Sequence, residues 1–245
     1  PPPAAAPPTP AAPVTAFVTW RPGPEALWKR ALPSVVVAYG GPVIHNTIDA
    51  ARAQLKGDKD GRRIWAFDLP PRAGSRDAPK RWLVATPAEF DAAYACVPAG
   101  RRNAYEVIDA RRHCWAYFDL EFTRKDGLNA AVDGDALTER VVSAACDALV
   151  AAAGDRPLEI EVIVLASEKE TKFSRHVVLR PHWTDGARRR PAPLAGSPHA
   201  GHLADVVIKA LGDALTLQSG DARTTTSFVD TGVYTRDRCF RVFFF

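Results

Sequence analysis

Residues 115–122 read WAYFDLEF. Aromatic residues recur at alternate positions, which predicts a β-strand. Side chains alternate in direction along a strand, so Asp119 and Glu121 project from one face, about 7 Å apart. They interrupt an otherwise apolar run, and burying two acids there is expensive without a cation. Two carboxylates at this spacing can share a pair of divalent ions. The solvent-facing side of an edge strand accounts for the same spacing equally well.

Working outward, residues 135–153 predict an amphipathic helix. Leu137, Val141, Val142, Ala145, Leu149 and Val150 fall on one side, and Gly154 ends it. Residues 160–165 (IEVIVL) and 176–180 (HVVLR) predict strands joined as a hairpin through SEKETKF, residues 167–173. A Pro/Gly/Arg-rich loop is expected over 181–197, a helix over 202–215, and closing strands over 227–230 and 238–245 around a polar turn at 234–237. From residue 115 onward the order is strand–helix–strand–strand–helix–strand, the split βαβ pattern of ferredoxin-like folds. That pattern serves RNA-recognition modules and polymerase palms alike, so it does not choose between functions.

Upstream, short strands are expected over 64–69, 82–85 and 105–108. Pro87 opens a helix over 87–97, residues 45–55 predict a shorter one, and another, anchored by Trp20, Leu27 and Trp28, starts after Pro24. The first thirteen residues, PPPAAAPPTPAAP, predict a disordered or polyproline-like tail. The expected class is therefore α+β. A helical and α/β module spans 14–113, and an RRM-like module with a mixed or antiparallel sheet spans 114–245. Trp65 and Trp82 are assigned to the core. His182, His199 and His202 are assigned to loops rather than to a ligand set.

The chain has 245 residues, 47% of them hydrophobic and 24% charged, which suits a soluble globular protein with a real core. No run of about 18 apolar residues predicts a membrane span. The net charge of +4 gathers in clusters such as Arg111–Arg112 and Arg188–Arg190. A polyanion would use such clusters through counterion release, although each alone is equally a solvated loop. Cys96, Cys114, Cys146 and Cys239 form no C-x-x-C pair, so no structural zinc is indicated and free thiols are expected.

Two further stretches carry chemistry. In KFSRH, Lys172, Ser174 and His176 share one strand parity, and each can donate a hydrogen bond to a triphosphate oxygen. An ordinary polar strand face gives the same pattern. In FVDTGVYTRDRCFR, residues 228–241, Asp230 ends a short apolar strand and Arg238 and Arg241 follow, in reach of phosphate or a template backbone. A charged hairpin turn is the plainer alternative.

In this order the three stretches resemble the D-x-E, S-x-H and lone-D motifs of the archaeo-eukaryotic primase superfamily. AYEVI (104–108), YFDLEF (117–122), KFSRHVVL (172–179) and residues 228–241 are similar to its eukaryotic primase-polymerase branch. The similarity runs from about Lys80 to the C-terminus. It implies a primase catalytic core in which Asp119, Glu121 and Asp230 bind two Mn²⁺ or Mg²⁺ ions. It further implies that Lys172, Ser174 and His176 hold the incoming triphosphate, with Arg238 and Arg241 beside it. Arg81 would meet the template, and Tyr105 would lie near the sugar of the nucleotide.

The activity implied is template-directed nucleotidyl transfer from a nucleoside triphosphate to a 3′-hydroxyl by positioning and electrostatics. Its setting would be repriming and translesion synthesis in the nucleus and mitochondrion. DNA template and primer, nucleotides and a single-strand-binding protein are the partners implied, with a monomer and no membrane. The resemblance also implies more chain after Phe245, including a Cys/His zinc region used in priming. Zinc and de novo priming are therefore not expected of this stretch. Two alternatives stand beside it. One is a non-catalytic RRM-like module that binds single strands by exposed aromatics. The other is a metal-dependent nuclease using the same acids.

Overall fold

The computed structural model describes residues 44–58, 61–68, 79–95, 104–167, 169–220, 224–235 and 238–241. The expected tail over 1–13 and the helix after Pro24 lie outside them. In chain order the elements are β1 (Ile44–His45), α1 (Ile48–Leu55), β2 (Arg63–Asp68), β3 (Lys80–Ala85), α2 (Pro87–Ala95), β4 (Ala104–Ile108), β5 (Ala116–Thr123), α3 (Gly134–Ala153), β6 (Leu158–Ala166), β7 (Lys172–Asp185), β8 (Arg188–Pro191), α4 (Ser197–Leu211), β9 (Thr216–Ser219), β10 (Thr224–Ser227) and β11 (Arg238–Arg241).

The fold is α+β, as expected. A first, five-stranded sheet has the order β1-β3-β2-β4-β11. One of its faces sets Trp65, Phe67, Leu83 and Ala104 against Phe90, Ala93 and Tyr94 of α2, and Trp65 stacks on Phe90 at 4.2 Å. The other sets Ala66, Val84 and Val107 against Ala51 and Leu55 of α1.

The second sheet has the order β5-β7-β6, all antiparallel, with β8 continuing along β7 beyond β5. Phe118, Leu120 and Phe122 of β5 and Phe173, Val177 and Leu179 of β7 are buried against Val141, Ala145 and Leu149 of α3 and Leu203, Ala204 and Val207 of α4. Asp133 caps α3 by accepting from the Ala136 amide over 3.0 Å, and Gly154 ends it at φ 61°. The backbone of Val229 bridges Leu120 on the outer side of β5. The spatial order is thus 228–230, β5, β7, β6. This is the split βαβ arrangement with its last strand reduced to one bridge.

The structure departs from the expected elements in four places. The loop expected over 181–197 is largely strand. Gly186, at φ 55°, lets β7 turn tightly into β8, and Pro181 stays in the strand by offering its carbonyl to Ala192 N over 2.8 Å. The helix expected from 202 begins at Ser197 with proline in its first turn and stops at Gly212, φ 52°. His182 therefore lies on a strand, and His199 and His202 lie on a helix, not in loops. The strand expected over 227–230 is displaced: β10 pairs with β9, and Asp230 lies beyond it.

The last strand also crosses over. β11 pairs with β4 and closes the first sheet rather than the second. Its Phe240 is buried between the sheets with Ile108 and Cys114, and its ring lies 4.6 Å from Tyr117 and 5.0 Å from His176. A cavity of about 650 Å³ continues between the sheets from there, walled by Trp65, Glu106 and Ile108 on one side and Trp115, Val178 and Arg180 on the other.

Candidate active site

The site grows from the pairing of β5 with β7. Register places Asp119 opposite His176, Glu121 opposite Ser174 and Thr123 opposite Lys172. Directly opposed residues of an antiparallel pair share a face. Alternation with the buried phenylalanines therefore puts both acids, the serine, the imidazole and the lysine on the face away from α3 and α4. His176 Nε2 lies 3.4 Å from Asp119 Oδ1, with both side chains under one-fifth exposed. Glu121 is in an ion pair with Lys172. Ser174 is buried. Each acid of the first motif is thus met by a basic group of the second.

The third acid arrives through the backbone. Glu121 N donates to Phe228 O over 3.0 Å, and Asp230 N donates to Asp119 O over 2.9 Å. Asp230 then caps a single 3₁₀ turn, Thr231–Tyr234, with its Oδ1 accepting from Gly232 N at 2.8 Å. A β-carbon on residue 232 would come 2.9 Å from that oxygen, so only glycine leaves the carboxylate where it is. Asp230 is exposed.

Two tyrosines fasten this turn to β5. Tyr117 Oη donates to Val233 O over 3.2 Å, and Tyr234 Oη donates to Tyr117 O over 2.7 Å. Their rings lie 5.2 Å apart. Burial, reinforced by neighbouring acidic groups, pushes both phenols well above the usual range, so each keeps its donor proton. The charges of Asp119 and Asp230 both act on Tyr234, which sits between the first and third motifs.

The remaining predicted residues belong to the first sheet. Arg81 lies on β3 opposite Phe67 and donates to the Lys80 carbonyl over 3.2 Å. Tyr105 Oη donates to Asp68 Oδ2 over 3.0 Å, beneath the Lys80 ammonium at 4.3 Å from its ring centre, and Lys80 is ion-paired to Asp68. Arg241 pairs with Tyr105 through β11, and its side chain lies outside the described residues. Arg238 is exposed, its Nε donating to Thr235 Oγ1 over 2.7 Å. Motif spacing does not single out Tyr117, Tyr234, Gly232 or Asp68. The only signals are the shared parity of Tyr117 with Asp119 and the D-x-G turn at 230–232.

Among the described residues no three His, Cys, Asp or Glu side chains already converge as a metal-ligand cluster. The donor chemistry nevertheless suits a hard divalent cation, since all three acids offer carboxylate oxygen. Lys172 supplies positive charge at Glu121, and the His176 imidazole faces Asp119, where such a cation would act. Of the thiols, Cys114, Cys146 and Cys239 are free, and burial pushes Cys114 up to about 12. Among the described residues no helix is long and apolar enough to cross a membrane.

Comparison with known proteins places this site in context. The chain is 33% identical over 122 residues to the DNA-directed primase/polymerase protein of Homo sapiens, a match covering 49% of this chain and 20% of that protein. The Bos taurus protein of the same name is 31% identical over 124 residues, covering 49% of the chain and 21% of its own length. The Mus musculus protein is 34% identical over 80 residues, covering 33% of the chain and 14% of its length. The aligned stretch thus spans about a fifth of the length of the human and bovine relatives. No family model matches the chain. These matches relate the chain to the primase-polymerases.

Proposed function

We propose that this chain carries the nucleotidyl-transfer site of a DNA-directed primase-polymerase. The observation that carries the proposal is the junction of three acids. Two adjacent acids on one face of β5 are bound through the backbone to a third, Asp230, and faced by the Lys172–Ser174–His176 row of β7. An RNA-recognition sheet would offer aromatics there instead.

Asp119, Glu121 and Asp230 would hold two Mn²⁺ or Mg²⁺ ions, which supply charge neutralisation and activation of a hydroxyl. The protein's own groups do the rest. Lys172 releases Glu121 and turns to the triphosphate. Ser174 and His176 donate hydrogen bonds to its oxygens. The fixed strand pairing holds the reacting groups in line and keeps reorganisation small. Arg81 and Arg238 would contact template and nucleotide, and Asp68 would orient the Tyr105 ring toward the sugar. The DNA template and primer and the nucleoside triphosphates are the substrates. The cellular setting proposed is repriming and lesion bypass in the nucleus and mitochondrion, by a monomer working with a single-strand-binding protein.

Primer extension on a labelled template tests this directly. Wild-type protein with Mn²⁺ or Mg²⁺ should add nucleotides, and Asp119→Ala should add none. Undiminished extension by Asp119→Ala would remove the assignment. Degradation of a labelled single strand without nucleotides present would point to a nuclease instead.

A further inference from the structure

The Tyr117–Tyr234 pair sits beside the site without reaching into it, and its geometry has a purpose of its own. The two hydrogen bonds are reciprocal. The Tyr117 hydroxyl holds the third-motif turn at Val233 O, while the Tyr234 hydroxyl holds β5 at Tyr117 O. Tyr117 stands two residues before Asp119 on the same strand face, and Tyr234 closes the turn that Asp230 caps. Each tyrosine therefore restrains the segment that bears the other's acid.

The fastening extends a short anchorage: burial of Phe228 and Val229 and the backbone bonds of Phe228 and Asp230 hold the third motif as far as Asp230, and the two tyrosine hydroxyls tie the turn after it to β5. The strand of that motif is one isolated bridge at Leu120 and Val229, and β10 and β11 pair with other strands altogether. Packing reinforces it. Gly201 of α4 leaves room for Tyr234, whose Cβ would lie 3.1 Å from any β-carbon placed there. On the other side the Tyr117 ring meets Phe240, and Phe240 meets His176. A row of four rings thus runs from the third motif, across the first, to the histidine of the second.

We infer that Tyr117 and Tyr234 are positioning residues that hold the Asp230 carboxylate at a fixed offset from Asp119, so that the two can share a divalent cation. This rests on the proposed nucleotidyl-transfer site. The pair touches neither substrate nor metal, and it acts through the spacing of the acids. Without the clasp the turn beyond Asp230 loses both of its side-chain hydrogen bonds to β5, and cation binding carries the ordering cost.

The test uses the full chain with Tyr117→Phe, Tyr234→Phe and the double variant, which keep the rings and remove only the hydroxyls. Mn²⁺ binding is followed by loss of the free-ion electron paramagnetic resonance signal, alongside primer extension and thermal unfolding. Each single variant should bind Mn²⁺ roughly three- to tenfold more weakly, the range expected for one lost hydrogen bond. The Mn²⁺ requirement for extension should rise in parallel. The nucleotide KM at saturating Mn²⁺ should stay within twofold of wild type. Variants that melt earlier yet titrate Mn²⁺ like wild type would overturn the inference, since the clasp would then be merely structural. Wild-type protein that neither binds Mn²⁺ nor extends a primer would overturn the nucleotidyl-transfer proposal itself, and the clasp's role with it.

Discussion

The backbone N–H of Asp230 donates to the carbonyl of Asp119 over 2.9 Å, so two acids far apart in the chain are joined before either side chain is considered. That bond fixes where the Asp230 side chain begins, and the Asx turn to Gly232 fixes where it points. Charge and position are therefore separable at this residue. Asp230→Asn keeps an oxygen that can accept from Gly232 N but removes the charge. Because the residue is exposed, melting should shift by no more than a degree or two. Nucleotide incorporation should fall at least about a hundredfold, the scale expected when a catalytic cation loses a carboxylate ligand. Gly232→Ala makes the complementary change, keeping the charge but crowding Oδ1, and should weaken Mn²⁺ binding with little loss of stability. Parallel incorporation assays and Mn²⁺ titrations check both.

On the proposed reading, Lys172 and a divalent cation would compete for the same carboxylate. The lysine pairs with Glu121, and both side chains are more than one-third exposed, so the pair itself contributes little to stability. Lys172→Gln should leave melting almost unchanged. It should raise the nucleotide KM about tenfold through loss of a charge-assisted phosphate contact, while Mn²⁺ affinity holds or rises because Glu121 is released. A fall in both affinities would contradict the competition. Steady-state kinetics at saturating Mn²⁺, paired with metal titration, separates the two effects.

The parts of this arrangement that were legible in the sequence are those written in alternation. Residues 115–122 announce β5 because its buried phenylalanines and its acids occupy opposite parities. The 135–153 stripe announces α3 because one side must be buried against the sheet. The strand parity of Lys172, Ser174 and His176 follows from the same rule. What stayed hidden depends on long-range partners. Arg238–Arg241 reads as a strand, but nothing local says that it joins β4 rather than β5. Pro181 reads as a breaker, yet a strand tolerates it where its carbonyl still has a donor. Tyr117 reads as one strand aromatic among several and Tyr234 as part of a polar turn, and only the reciprocal bonds to backbone carbonyls show them as a clasp.

Alkaline pH should weaken the fold through the groups around that clasp. Cys114, Tyr117 and Tyr234 all have raised pKa values, from ordinary values of 9.0 for the thiol and 10.0 for the phenols, with burial as the leading cause. Each keeps its proton when folded at a pH where the unfolded chain has lost it. The unfolded state then binds fewer protons, so stability declines as pH rises above 9 and declines more steeply above 10. The contribution is fully present below pH 9. Urea unfolding midpoints from pH 7 to 11 should show this slope, and Tyr234→Phe should make it shallower above pH 10. An unchanged slope in that variant would mean that the Tyr234 phenol titrates in the folded state as it does in the unfolded chain.

Gly134 tests how tightly the helix layer supports the strand that carries Lys172, Ser174 and His176, the row proposed to hold a triphosphate. It opens α3 with its α-carbon against Phe173, and a β-carbon there would lie 2.5–2.6 Å from three atoms of that ring. The ring has no room to yield. It is buried, stacks on Phe122 at 4.9 Å and lies beneath the Arg175 guanidinium at 4.3 Å. Arg175 in turn holds Asp135 of the first helical turn through two bonds, at 3.0 and 3.2 Å. Alanine is otherwise the better helix former by about 1 kcal/mol. The clash must exceed that gain, and overpacking of a filled core costs about 1–3 kcal/mol. Gly134→Ala should therefore be destabilising, lowering the urea midpoint, because α3 must lift from β7 to admit the methyl group. Since Phe173 lies between Lys172 and Ser174 on β7, the same shift should raise the nucleotide KM more than it lowers Mn²⁺ affinity. A variant as stable as wild type would show that α3 can slide along the sheet without cost, and the supporting role assigned to this packing would fall.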